Sequence, residues 1–203
     1  AAGSAERAVL DRRSDELARS LLDPLGERQR ERLVAAMAEV ERLLAAALVE
    51  IETVDPGQAA AQHCLREYAA ELDRRFDTGF DPARSASPSV DEFRPPGGTF
   101  LVATLRGRPV GCGALKFHGD ETVELKRLWV DGSARGLGIG RRLLAELEAR
   151  AAAHGGVVRL DTNRTLTEAI DLYRSAGYRE VEPFNDELYA DYWFEKRLTG
   201  AAG

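Results

Sequence analysis

The sequence predicts an α/β (α+β) domain behind a two-helix extension, and three observations predict it. Two leading stretches carry apolar residues at three- and four-residue steps, the middle of the chain alternates like strands between turn residues, and a glycine-rich run lies between a strand and a helix. A chain of 203 residues with 44% hydrophobic content can bury about 70% of its unfolded surface, enough for one domain with length left over. The expected division is a helical hairpin over 1–47, a main domain over 48–198 and a short tail over 199–203.

Leu10, Leu17 and Leu21, then Leu33, Met37, Val40 and Leu44, mark two amphipathic helices. Pro24 and Gly26 separate them, with Gly26 as N-cap and Gln29 three residues on as its capping partner. A helical hairpin has little core of its own, so its apolar stripe should meet either the remaining domain or a second chain. Val49, Ile51 and Thr53 then alternate as a strand, Asp55, Pro56 and Gly57 end it, and a helix follows over 59–76. The proline- and glycine-rich stretch 77–98 reads as a long loop with a short helix near 90–93, of a length that is often functional. Strands over 99–105 and 109–117 join at Arg106, Gly107 and Arg108 as an antiparallel hairpin. A strand over 121–130, a helix over 138–153 ended by Gly155 and Gly156, and a strand over 157–161 follow. A helix over 165–176 ended by Gly177 and a strand over 189–198 complete the order.

A net charge of −6 argues against nucleic acid as the main ligand, because phosphate backbones are bound by excess Lys and Arg. No apolar run approaches the roughly 18 residues of a membrane span, and residues 1–13 lack a signal peptide's apolar middle. The expectation is a cytoplasmic protein. Cys64 and Cys112 are far apart in sequence and read as reduced, buried thiols. His63, His118 and His154 show no metal-ligand spacing, and no metal is expected.

The run Arg135, Gly136, Leu137, Gly138, Ile139, Gly140, Arg141 carries most of the functional information. Residues without Cβ let the main chain approach an anion and aim successive N–H groups at it, while the following helix offers its positive end. A phosphorylated cofactor is the expected partner. A dinucleotide fingerprint needs glycine where Arg141 stands, and a P-loop needs Gly-Lys-Ser or Gly-Lys-Thr where this chain has Gly140, Arg141 and Arg142. Both nucleotide readings fail.

Arg135, Gly138 and Gly140 match the Gln/Arg-x-x-Gly-x-Gly/Ala signature of the GNAT superfamily of N-acetyltransferases. The order of elements and the later stretch from Ala169 to Tyr178 match as well. The resemblance covers about 49–198. It implies a central mixed, mostly antiparallel sheet of six to seven strands flanked by helices. It also implies that acetyl-CoA is the cofactor, with CoA released. Its pyrophosphate would be held by Gly136, Gly138 and Gly140 with the N–H groups of Leu137, Ile139 and Arg141. Its pantetheine arm would lie along Leu128, Trp129 and Val130, and Arg135, Asn163 and Arg174 are further contact candidates.

Amine acetylation needs a neutral nucleophile, and stripping a proton from an amine of pKa about 10.4 at neutral pH costs on the order of 4–5 kcal/mol. Glu124 stands where many family members carry the base that takes it, with Glu121 as substitute, or it is a surface or salt-bridged glutamate beside Lys126 or Arg127. Tyr173 matches the family's tyrosine, a phenol able to protonate the leaving thiolate, or it packs as core in a helical stripe with Ala169, Leu172 and Ala176. By the same resemblance the acceptor lies over Phe93 to Pro96 and Phe184 to Tyr189, where Asp186, Glu187 and Asp191 attract a cationic amine or stand solvated. Tyr192, Trp193 and Phe194 read as core. A covalent route through Cys112 lacks a partner histidine.

Leu10 to Leu22 with Gln29 to Leu33 resembles the C-terminal helices of MarR-type winged-helix regulators, over about 5–44. Those helices dimerise, which implies a homodimer contact here. Their DNA-reading helix and wing do not precede them in this sequence, and whether such a domain precedes residue 1 in a longer protein stays open. Two functions follow. The first is an acetyl-CoA-dependent N-acetyltransferase that moves an acetyl group to a primary amine, small molecule or protein, by direct transfer in a ternary complex. The alternative is an acetyl-CoA-sensing module attached to a MarR-type regulator.

Overall fold

The computed structural model describes residues 2–85, 89–119, 122–154 and 156–198. Glu121, Gly155 and the tail at 199–203 lie outside them. The chain forms two compact units, Ala1–Ala45 and Ala46–Gly203.

In the first unit, helices α1 (Ala2–Leu22) and α2 (Glu27–Ala47) meet at a turn that its own side chains complete. The Gly26 N–H donates to Gln29 Oε1 at 3.0 Å, and the Arg30 guanidinium donates to the carbonyls of Leu22 and Asp23. These are groups that a helix end leaves without intrahelical partners. Leu10, Leu17, Leu21, Val34, Met37 and Leu43 of the two helices are exposed.

The second unit is built on seven strands: β1 (Val49–Thr53), β2 (Gly98–Leu105), β3 (Arg108–Phe117), β4 (Thr122–Val130), β5 (Val157–Thr162), β6 (Arg179–Val181) and β7 (Tyr192–Arg197). Their order is β1-β2-β3-β4-β5-β7-β6, and every pairing is antiparallel except β4 with β5. Helix α3 (Ala59–Arg75) packs on one face, where Cys64, Phe93, Phe100, Val102 and Cys112 form a core. Helices α4 (Ile139–Ala151) and α5 (Thr167–Ser175) pack on the other, over Leu101, Leu115, Leu125, Leu143, Leu147 and Phe194. None of the described helices is long and apolar enough to cross a membrane.

Two departures from the sequence reading have local causes. Strand β6 is only three residues, too short for its alternation to register. Strand β7 starts at Tyr192 because a turn from Glu187 to Ala190 occupies the preceding residues. The β2–β3 connection is the expected hairpin: Arg106 and Gly107 both have positive φ, 51° and 74°, as a two-residue primed turn requires. Strand β2 has to open on glycine. A Cβ at Gly98 would stand 2.4 Å from the Leu115 carbonyl and 2.5 Å from that of Glu92, and this close crossing is what drives Phe93 fully into the core.

The feature that creates a site is an irregularity in β4. Cys112 pairs with Trp129 and Ala114 with Lys126, so Gly113 alone faces both Arg127 and Leu128. This is a β-bulge, with Arg127 at φ 58°. The ladder between β4 and β5 runs only from Thr122↔Val157 to Glu124↔Arg159. Beyond it the two strands part, and the sheet opens from the bulge onward.

Candidate active site

The opening leads into a cleft of about 490 Å³ bounded by α3, the end of β4, the 134–141 loop and α5. Leu128, Trp129, Val130, Arg135, Gly136, Gly138, Ile139, Gly140 and Arg141, named from sequence as coenzyme contacts, are brought together along its wall. Leu137 turns away and packs against the core. Gly136 and Gly138 have φ of 81° and 74°, backbone that a side chain with Cβ rarely adopts. Helix α4 begins directly after Gly138, and no side chain caps it. The N–H groups of Ile139, Gly140 and Arg141 therefore have no intrahelical acceptor and carry the positive end of the helix dipole. A Cβ at Gly140 would stand 3.5 Å from Leu172 and 3.7 Å from Val130, filling the cleft at that point. Bare backbone donors at an uncapped helix start, beside Arg135 and Arg141, fit a phosphate group.

One residue in this cleft was missed from the sequence. Glu71 of α3 accepts from both Arg135 (2.6 Å) and the Trp129 indole (2.9 Å), and Arg75 reaches it at 3.2 Å. Arg75 also spans to α5, donating to the Thr165 carbonyl and to Glu168, each at 2.6 Å. Burial pushes the Glu71 carboxyl up, but the donors from Arg135, Trp129 and Arg75 outweigh it and hold the group below its ordinary range. A phosphate entering beside Arg135 must share that guanidinium with Glu71. The i,i+4 spacing of Glu71 and Arg75 was the only sequence signal, and it reads as an ordinary helix pair.

A smaller chamber of about 70 Å³ lies where β4 and β5 part, and it shares Tyr68, Leu72, Leu128, Leu166 and Ala169 with the cleft. Its polar wall is Lys126, Arg127, Asp161, Tyr173, Glu187 and Tyr189. Tyr173 is almost fully buried, and its hydroxyl makes no hydrogen bond within the described residues. Burial holds its phenol well above the ordinary value of 10, so the proton is retained at neutral pH. Cys64 and Cys112 are free and buried. Burial pushes the Cys112 thiol up, which makes it a poor nucleophile.

Glu124 sits apart from both spaces. It lines a pocket of about 250 Å³ with His118, Thr122, Arg159, Phe184 and Asn185. Lys126 Nζ lies between Glu124, at 2.9 Å, and Asp161. Asn185 donates to both carboxylates, at 3.3 and 3.2 Å, and His118 Nε2 is 3.2 Å from Glu124. Burial raises the Glu124 carboxyl, but the charge and hydrogen bond of Lys126 and the His118 contact bring it below its ordinary range. Burial lowers the Lys126 amine, and Asp161 and Glu124 more than restore it.

The remaining expected site residues are used elsewhere. Asn163 donates to the Tyr189 carbonyl and accepts from the Thr165 N–H and hydroxyl, a local turn at the edge of the chamber. Arg174 pairs with Glu180 and lies over Tyr192 and Phe194, off the cleft. Phe93 is core, and Arg94 pairs with Asp55 and Asp91, so the segment from Phe93 to Pro96 does not reach the site. Phe80 and Ser85 of the same long loop reach the chamber instead. From the second loop, Glu187 and Tyr189 face the chamber, and Phe184 and Asn185 face the Glu124 pocket.

Comparison with known proteins agrees with this architecture. The profile of the Acetyltransferase (GNAT) family matches residues 65–178, the stretch from α3 through the glycine-rich loop to α5. An IAA acetyltransferase of Azospirillum brasilense is 33% identical over 129 residues, covering 63% of this chain and 84% of that protein. Among solved structures, an acetyltransferase of the GNAT family from Staphylococcus aureus Mu50 aligns with a TM-score of 0.63 at 20% identity, over 74% of this chain and 99% of that one. PaiA N-acetyltransferase from Thermoplasma acidophilum, solved in complex with coenzyme A, aligns with a TM-score of 0.56 at 18% identity, over 73% and 98%.

Proposed function

The chain belongs to the GNAT family of acetyltransferases, and we propose that it moves the acetyl group of acetyl-CoA to a primary amine by direct transfer in a ternary complex. The observation that carries this reading is the uncapped start of α4 behind Gly136 and Gly138, opening on a cleft that leads to the parted strands. The likeness to a fold solved with coenzyme A supports it. Bound there, acetyl-CoA supplies an activated acetyl thioester: the C–N bond forms as the C–S bond breaks, the amine loses one proton and the sulfur gains one.

The N–H groups of Ile139, Gly140 and Arg141, with the Arg135 and Arg141 guanidinium groups, hold the diphosphate. Charge-assisted hydrogen bonds net roughly 1.5–3 kcal/mol each, so three or four approach the roughly 8 kcal/mol of micromolar binding before ordering costs. The edge of β4 from Leu128 to Val130 has no strand on its β5 side and is free to pair with an extended amide-bearing arm. Tyr173 donates a proton to the leaving sulfur. Glu124 stays ionised at neutral pH and ends with one more proton: Asp161 takes the proton from the acceptor, Lys126 gives one of its own to Glu124, and Asp161 returns one to Lys126.

The test is turnover. Purified protein given acetyl-CoA and a panel of amines should release free CoA thiol in proportion to acetylated product. Tight coenzyme binding with no thiol release across a broad panel would contradict catalysis.

A further inference from the structure

We infer that the acceptor is a free amino acid, held in the chamber with its carboxylate on Arg127 and its ammonium on Glu187. This rests on the transferase reading above and specifies its substrate class. The charged groups around the chamber fall into two sets. Lys126 on the chamber wall is shared by Asp161 and, behind it, Glu124, a cluster joined by Asn185 that keeps one net negative charge. Arg127 and Glu187 are left over.

Arg127 has no carboxylate partner among the described residues, and its buried Nε makes no hydrogen bond. Its guanidinium lies 5.5 Å from the centre of the Tyr68 ring and interacts with the Tyr68 hydroxyl, which holds the plane in place and leaves Nε unbonded. The bulge keeps it at the chamber wall through a backbone conformation, φ 58°, that a non-glycine residue rarely adopts. Glu187 is 8% exposed. It accepts from the Ser85 hydroxyl at 2.8 Å and the Tyr189 N–H at 3.3 Å, and it has no cation among the described residues.

A half-buried guanidinium with an unbonded Nε and a buried carboxylate without a cation line one small space, and a zwitterion answers both at once. A simple alkylamine or the amine of a protein chain answers Glu187 and leaves Arg127 unmatched. The size agrees. At about 10–15 Å³ per water position, a chamber of about 70 Å³ suits the amino and carboxylate groups on one carbon. Tyr173 lines the same space, so the amine is delivered beside the group assigned to the sulfur.

The experiment compares free L-amino acids with their α-carboxamides as acceptors for the full chain at saturating acetyl-CoA. The best free acids should exceed their amides in kcat/KM by about 100-fold, since a buried charge left without its partner costs at least about 2–3 kcal/mol, at about 1.4 kcal/mol per tenfold. Arg127→Gln should erase that preference by raising KM for the acids, bringing the acid-to-amide ratio of kcat/KM toward one, with the calorimetric affinity for coenzyme A unchanged. Glu187→Gln should weaken acids and amides alike. Equal rates for acids and amides overturn the inference, as does Arg127→Gln acting on coenzyme affinity. It also falls if calorimetry detects no amino acid binding while coenzyme A binds. Should Arg127→Gln not fold, the acid-to-amide ratio of the unaltered protein still decides. Failure to bind coenzyme A at all would instead sink the transferase reading beneath it.

Discussion

Replacing Tyr173 by phenylalanine should lower kcat by about 10²–10⁴-fold, the usual worth of a positioned proton donor, and leave coenzyme A affinity within about twofold. The substitution removes one oxygen from a hydroxyl that bonds to no other described residue. It keeps the ring packed 5.7 Å from Tyr178 and 6.0 Å from Phe194, so the fold has little reason to respond. The pH dependence separates chemistry from packing. Burial raises the Tyr173 phenol above its ordinary 10, so it keeps its proton through neutral pH and the wild-type rate falls only when that proton leaves, on the alkaline side of the free phenol. The Phe variant should lack that alkaline limb. A loss of less than about threefold, or an unchanged alkaline limb, would remove the proton from this side chain's account.

Lys126→Met should destabilise the folded chain by about 3–5 kcal/mol at neutral pH, measured by urea unfolding, because it leaves Glu124 and Asp161 buried without their shared cation. In the wild type the Glu124 carboxyl is held below its ordinary value of 4.5. Its contribution is therefore present above that value and lost as pH falls through the folded pKa. The Lys126 amine is held above 10.5, so its contribution is complete below that value and lost only as pH rises through the raised folded pKa. Over the range from about pH 7 to pH 5 the wild type should change little from this cluster. The variant has two carboxylates facing Asn185 with no cation between them, and the Glu124 carboxyl, relieved of Lys126, rises. It should gain stability as pH falls over the same range, closing part of the gap. A gap that stays constant between the two pH values would show that the cluster is not electrostatic in its effect.

What could be read from sequence were features whose partners lie nearby along the chain. The glycine-rich loop, the turn at Arg106 and Gly107, and the two-helix hairpin with Gln29 beneath Gly26 are each complete within a few residues. Features with distant partners were not legible. Glu71 meets Arg135 across 64 residues, and Lys126 meets Asp161 across 35. Glu124 was singled out from sequence, but not its contacts with Asn185 and His118, which join Lys126 in holding its carboxylate. The bulge at Arg127 escaped notice because nothing in the strand marks it: no glycine stands at the residue with positive φ. Phe93 was assigned to the acceptor side, yet the crossing of its turn behind Gly98 draws it into the core, and Phe80 and Ser85 take its place. The sensing-module alternative finds no support, since the similar proteins described above are named as acetyltransferases.

The central claim is that main-chain amides at the start of α4 clasp the diphosphate of coenzyme A, and amide hydrogen exchange reads those groups directly. On adding coenzyme A, exchange at Ile139, Gly140 and Arg141 should slow strongly, with protection extending to the edge of β4 from Leu128 to Val130. Unchanged exchange at the three helix-start amides, with protection appearing elsewhere in the fold, would contradict it.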